Sequence, residues 1–141
     1  MDAGTAEPLV SVIVATKNSE ATLSALLESC RQQSIQSFEM IVVDNYSTDN
    51  TFRVARSYSD RVLLKGPERS TQRNYGVAQA KGKYVLILDS DMELTPRVLE
   101  ECLTLVCDVP ALKGLVIPEE AFGQGFWAQC KALERSCYLG D

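Results

Sequence analysis

The chain has 141 residues, 45% of them hydrophobic and 23% charged, with 19 acids, 14 bases and no histidine. That length supports one domain with its own core, and the composition excludes disordered, collagenous and coiled-coil classes. A net charge of −5 argues against a nucleic-acid partner, apolar runs fall far short of a membrane span of roughly 18 residues, and the missing histidine excludes Ser-His-Asp and Cys-His nucleophile systems.

Residues 1–8 are acidic and polar, without the charged-then-apolar pattern of a secretory leader, and are expected to form a flexible N-terminus. Residues 9–15 are almost continuously apolar, as in a parallel strand covered on both faces. Leu23, Leu26, Leu27 and Cys30 then recur at i, i+3, i+4 and i+7, one stripe of a helix. Residues 38–43 predict a second buried strand. The run Ser47-Thr48-Asp49 supplies caps for a short helix over 50–58. Residues 61–64 predict a third strand before the Lys65-Gly66-Pro67 turn. A helix over 69–81 would end at Gly82, and residues 83–88 form a fourth strand. Thr95-Pro96 is a helix start, leading into the stripe Leu99, Cys102, Leu103 and Val106. A fifth strand over 112–117 and a last helix over 124–138 complete the pattern. Strand–helix alternation at this spacing means an α/β fold with a mainly parallel sheet and helices on both faces. Ligands are then expected beyond the carboxyl ends of the strands.

Charged residues gather at those ends. Thr16-Lys17-Asn18 follows the first strand, Asp44-Asn45 the second, and Asp89-Ser90-Asp91 the fourth. Asp44 ends a buried strand, where an unpaired carboxylate would be costly. In an extended segment Asp89 and Asp91 would point to the same side and share one ligand. Two such carboxylates suit a hard divalent cation, Mg²⁺ or Mn²⁺, bridging to substrate phosphates; the alternative is a turn closed by aspartate side chains. Residues 61–83 hold six bases (Arg61, Lys65, Arg69, Arg73, Lys81, Lys83) against Glu68, either a solvated face or a pocket for a small anion such as phosphate. The first turn, Ala15–Glu20, lacks the glycines of a dinucleotide-binding loop, and no P-loop is present. Five cysteines (30, 102, 107, 130, 137) without a C-x-x-C pair read as buried reduced thiols.

Residues 9–51, "LVSVIVATKNSEATLSALLESCRQQSIQSFEMIVVDNYSTDNT", resemble the opening of family-2 glycosyltransferases, whose second strand runs into V-D-D-x-S-x-D-x-T. Residues 69–91, "RSTQRNYGVAQAKGKYVLILDSD", resemble that family's A-R-N-x-G, A-x-G-x-Y and D-x-D segments, in the same order and spacing. The resemblance implies a Rossmann-like GT-A fold, incomplete at its C-terminus, with residues 9–141 as the donor-binding half of one domain. It implies a nucleotide-diphospho-sugar donor, UDP-sugar before GDP-sugar, a divalent cation, and transfer with inversion to a glycan, lipid-linked or protein acceptor. By position, Thr16 would line the nucleotide pocket, Asp44 would accept from the base, and Arg73 would contact the nucleotide or its diphosphate. Asp89 would face the ribose, and Asp91, with Asp89, would serve the metal. Asn45 stands where many members carry a second aspartate, and Lys17 where many carry an aromatic or small residue.

Chemically, a cation and Arg73 would neutralise the leaving diphosphate, and a base would take the acceptor's proton. No residue matches the family's base. Glu119, Glu120, Glu134 and Asp141 are available acids, and the base is expected beyond Asp141. The segment Gly123-Gln124-Gly125-Phe126-Trp127 reads as the packed start of a helix or as a sugar or acceptor lining. Two other readings stay open: a nucleotide-binding partial domain without stand-alone catalysis, and a sugar-phosphate nucleotidyltransferase. The expected location is cytoplasmic, with membrane association only peripheral or through other parts of the protein.

Overall fold

A computed structural model of the chain describes residues 6–119. The helix expected over 124–138, the Gly123–Trp127 segment, Glu120, Glu134, Asp141, Cys130 and Cys137 lie outside those residues. The chain divides into two compact units, residues 1–104 and 105–141. The order is β1 (Val10–Thr16), α1 (Leu23–Arg31), β2 (Phe38–Asp44), α2 (Thr51–Tyr58), β3 (Arg61–Leu64), α3 (Arg69–Ala78), β4 (Tyr84–Asp89) and α4 (Val98–Asp108).

The strands form one parallel sheet in the order β3-β2-β1-β4. β1 lies centrally and is buried along its whole length, which is why it tolerates almost no polar side chain. Alternation along it divides the core in two. Val10, Val12 and Val14 pack with Leu23, Leu26 and Leu27 of α1, Ala55 of α2, Leu88 of β4 and Leu99 of α4. Ile13 points the other way, with Ile41 and Val43, against Tyr75 of α3 and Ala80. Helices therefore cover both faces, as the periodicity predicts. β4 is a half-covered edge: Leu88 is buried, whereas Val85 and Ile87 are 41% and 44% exposed.

Three expectations need correction. Residues 112–117 form no strand; the run is broken by Lys113-Gly114, and Val116 is 90% exposed. An apolar run becomes a strand only where a neighbouring edge accepts its backbone bonds. Helix α3 ends at Ala78, with Gln79 at its C-cap, so Gly82 does not end it. Gly82 instead passes so close to β1 that a Cβ would lie 2.5 Å from the Ser11 backbone nitrogen, while its N–H donates to Ser11 Oγ at 2.8 Å. Ser47 does not cap α2 either, as its hydroxyl is engaged at the end of β2. Asp49 does bind the helix start, accepting from the N–H of Thr51, the first residue of α2, at 2.9 Å.

Candidate nucleotide site at the carboxyl edge of the sheet

Parallel strands ending together bring Thr16, Asp44 and Asp89 to one edge. The register pairs Thr16 with Asp44, and Asp89 with Ala15 next to Thr16. The chain turns back on itself between β1 and β4, whose carboxyl ends open the crevice where α/β sheets bind ligands.

Asp44 is 1% exposed. Its carboxylate is satisfied locally: Ser47 N–H donates to Oδ2 at 3.0 Å, and the Ser47 hydroxyl donates to Oδ1. Ser47 Oγ in turn accepts from Asn18 N–H at 2.8 Å, and Asn18 Oδ1 accepts from Thr48 N–H at 2.8 Å. Asn18 and Tyr46 hold φ of 48° and 50°, left-handed values that asparagine adopts at lower cost than tyrosine. The loops after β1 and β2 are thus stitched into one wall. Beside it lies a cavity of about 360 Å³ lined by Asp44, Tyr46, Ser47, Phe52 and Leu64. It combines flat aromatic and aliphatic sides with one buried carboxylate, as suits a planar heterocycle carrying a donor edge.

Thr16 is 2% exposed, and its carbonyl accepts from Asn45 N–H and from Gln72 Nε2, both at 2.9 Å. Its hydroxyl is buried without a hydrogen-bond partner. Asn45 points away from the cavity: its Nδ2 donates to the Pro67 carbonyl at 2.8 Å and so holds the β3–α3 loop. An aspartate there, an acceptor only, could not make that bond.

Asp89 closes β4 under two guanidinium groups. Arg73 Nη2 lies 2.5 Å from Oδ1, and Arg69 Nη1 lies 3.6 Å from Oδ2. Strand conformation ends at Asp89, so the alternation that would put Asp91 on the same side ends with it. Asp91 is exposed, and its carboxylate makes no hydrogen bond or ion pair with the described residues. No three Asp, Glu or Cys side chains converge among the described residues. The donor set nevertheless fits Mg²⁺ or Mn²⁺, which take one or two carboxylates and fill the rest with phosphate oxygens and water. Asp91 is the bare carboxylate, and Asp89 is the one already neutralised.

The basic segment is divided between two ends of the molecule. Arg69 and Arg73 reach Asp89, and Lys65, whose N–H donates to the Asp44 carbonyl at 3.0 Å, lies at the same edge. Arg61 pairs with Glu39, and Lys65 and Lys83 lie over the rings of Tyr75 and Tyr84. Strand and helix alternate across residues 61–83, so neighbours in sequence emerge at opposite edges.

Gln72 is the site residue that pattern reading missed. It is 4% exposed, and its amide donates to the carbonyls of Thr16 at 2.9 Å and Val43 at 2.7 Å. A polar residue between Arg69 and Arg73 on the helix face that meets Ile13 was the available signal. Ser19 was also missed; its hydroxyl hydrogen-bonds that of Ser90 at 2.9 Å, tying the first loop to the turn after β4. Of the cysteines, Cys30, Cys102 and Cys107 are free; only Cys30 among them is buried as expected, its thiol pushed up to about 12, whereas Cys102 is half-buried and Cys107 exposed.

The model of the family described as Glycosyl transferase family 2 matches residues 11–129. The poly(ribitol-phosphate) beta-N-acetylglucosaminyltransferase TarS of Staphylococcus aureus is 34% identical over 105 residues, which cover 68% of this chain and 18% of TarS. The related TarP of the same species is 30% identical over 148 residues, covering 92% of this chain and 45% of TarP. Among solved structures, S. aureus TarS 1–349 with UDP-GlcNAc superposes at a TM-score of 0.64 and 30% identity, over 82% of this chain and 38% of that one. The mannosyltransferase PcManGT of Pyrobaculum calidifontis, with GDP-Man and Mn²⁺, superposes at 0.63 and 25% identity, over 74% of this chain and 34% of that one. The chain thus spans less than half the length of each of these proteins.

Proposed function

Because the chain belongs to glycosyl transferase family 2, we propose that it takes a nucleotide-diphospho-sugar, UDP-linked before GDP-linked, and passes the glycosyl group with inversion to a glycan, lipid-linked or protein acceptor. The observation that carries this reading is the cavity at Asp44, Tyr46, Ser47, Phe52 and Leu64, set on the same sheet edge as the Asp89 carboxylate. The UDP-GlcNAc complex of TarS supports a uridine donor, and the GDP-Man complex of PcManGT keeps guanosine as the alternative.

In this reading the base enters the cavity with its faces against Phe52 and Leu64. Asp44 takes its N–H edge through lone pairs that Ser47 leaves free. Thr16 closes the floor largely through its backbone. Asp89 accepts from the ribose, and the arginines beside it keep the crest from repelling a diphosphate. A divalent cation, when bound, supplies the Lewis-acid charge that stabilises the departing diphosphate, and Asp91 would hold it. The acceptor hydroxyl attacks the anomeric carbon opposite the leaving group through an oxocarbenium-like state, losing its proton to a base. Asp44, Asp89 and Asp91 are all engaged otherwise, so we assign that base to no described strand-end residue.

A second reading is favoured by the 18% and 45% of TarS and TarP that this chain spans: donor binding without turnover by these residues alone. A cytoplasmic location, peripheral to any membrane, belongs to the same proposal; among the described residues no helix is long and apolar enough to cross a membrane.

Thermal melts with UDP, GDP and a UDP-sugar, each with and without Mn²⁺, test the donor. Saturation at ~100 Kd should add about 2.7 kcal/mol. Asp91→Ala should lose the metal-dependent part of the affinity and keep the remainder. An Asp91→Ala protein that binds UDP and Mn²⁺ as the wild type does would remove Asp91 from its role. Release of free sugar or transfer by this chain alone would reject the second reading.

A further inference from the structure

The two arginines at the start of α3 raise the question of what the outer one does. Guanidinium groups near a helix N-terminus are ready partners for phosphate, yet both are turned toward a carboxylate. Arg73 makes the short contact to Asp89 Oδ1; Arg69, one helical turn earlier, faces the other oxygen, Oδ2, at 3.6 Å. A carboxylate gripped through one oxygen can still rotate about its Cβ–Cγ bond. A second cation facing the other oxygen, at ion-pair rather than hydrogen-bond distance, biases that rotation and with it the direction of the remaining lone pairs. The frame is itself rigid, because Gln72, between the two arginines, is bonded to the carbonyls ending β1 and β2.

We propose that Arg69 is a positioning residue for donor recognition: with Arg73 it brackets Asp89 so that the free lone pairs meet a ribose hydroxyl, and it acts on the nucleoside through Asp89 instead of on the phosphates. This rests on the donor reading above. The Arg69 side chain is 66% exposed, so its contribution is that of a solvent-screened pair, about two- to fivefold in affinity. Its exposure also means that substitution leaves folding intact.

The test compares wild type, Arg69→Gln and Arg69→Lys in titrations of uridine, 2′- and 3′-deoxyuridine and UDP, followed by NMR, with melting temperatures as the folding control. Uridine has no phosphate. The expected result is that Arg69→Gln weakens uridine and UDP by the same factor and narrows the preference for uridine over a deoxyuridine, with Arg69→Lys in between. Loss confined to UDP would make Arg69 a phosphate contact and overturn the proposal, as would unchanged binding of all ligands. A wild type that binds UDP but treats uridine and both deoxyuridines alike also overturns it, with the donor reading intact. A wild type that binds none of the four ends the uridine-donor reading and the proposal together, leaving the guanosine alternative to the GDP melts.

Discussion

Asp44 joins two demands on one side chain: its carboxylate sits 1% exposed, holds Ser47 through both oxygens, and still fronts a cavity. Asp44→Asn replaces an acceptor-only group by one that must present an NH₂ to one of two donors. It should destabilise by about 1.5–3 kcal/mol in urea unfolding, with a parallel fall in UDP affinity by titration. The aspartate was legible in the sequence as a polar residue ending a buried strand. Ser47 as its partner was not, because a serine ahead of a helix is equally a cap until the turn is known. Glu39 is a second engaged carboxylate, at the start of β2. Burial works to raise its pKa, but hydrogen bonds from the Ser11 hydroxyl, the Lys81 N–H and Arg61 together bring it below the ordinary 4.5. A folded-state value below the unfolded one contributes stability that is complete above about pH 4.5 and disappears as pH falls through the folded value. Glu39→Gln should therefore be less stable at neutral pH and show a flatter stability profile below pH 4.5, read from denaturant midpoints.

Helix α3 carries the most consequence among the elements, since it delivers Arg69, Gln72 and Arg73 from a single turn. Its height above the sheet depends on Gly76, where a Cβ would lie 2.5 Å from Ile13 Cγ2 and 3.2 Å from Val43 Cγ2. Gly76→Ala gains helix propensity but lifts the helix off β1 and β2. The expected net loss is about 1–3 kcal/mol, with weaker nucleotide binding because Gln72 and the arginines move together. Among the elements, β1, α1, β2, β4 and α4 could be read from an apolar run or stripe, whereas α2, β3 and α3 were legible through the caps and turns that bound them, and β3 buries none of its four residues. Sequence patterning failed where backbone proximity decides the outcome. Residues 112–117 have strand composition but pair with no strand among the described residues. Gly82 looked like a helix stop although its reason is the Ser11 backbone, 2.5 Å from where a Cβ would sit.

For the molecule as a whole, the sheet separates its two ends by task. The amino end holds the clamp of Glu39, Arg61, Ser11 and the turn at Lys81-Gly82. The carboxyl end holds Asp44, Asp89 and Asp91. Substitutions should sort accordingly: Glu39→Gln lowers the melting temperature with nucleotide Kd unchanged. Asp91→Asn, exposed and without partners among the described residues, changes the metal-dependent Kd and leaves melting within about 0.5 kcal/mol of wild type. The basic segment was legible as a cluster but not as a divided one, because composition carries no direction along a strand. One detail bears on how such a site persists through descent. The Gln72 amide addresses the main-chain carbonyls of residues 16 and 43, not their side chains. Exchanging the side chains at 16 and 43 therefore removes neither bond of that fork. Both residues are nonetheless buried, Thr16 at 2% and Val43 at 0% exposure, so a saturation library should admit only side chains of similar volume there, and Gln72→Ala should remove one donor from each carbonyl.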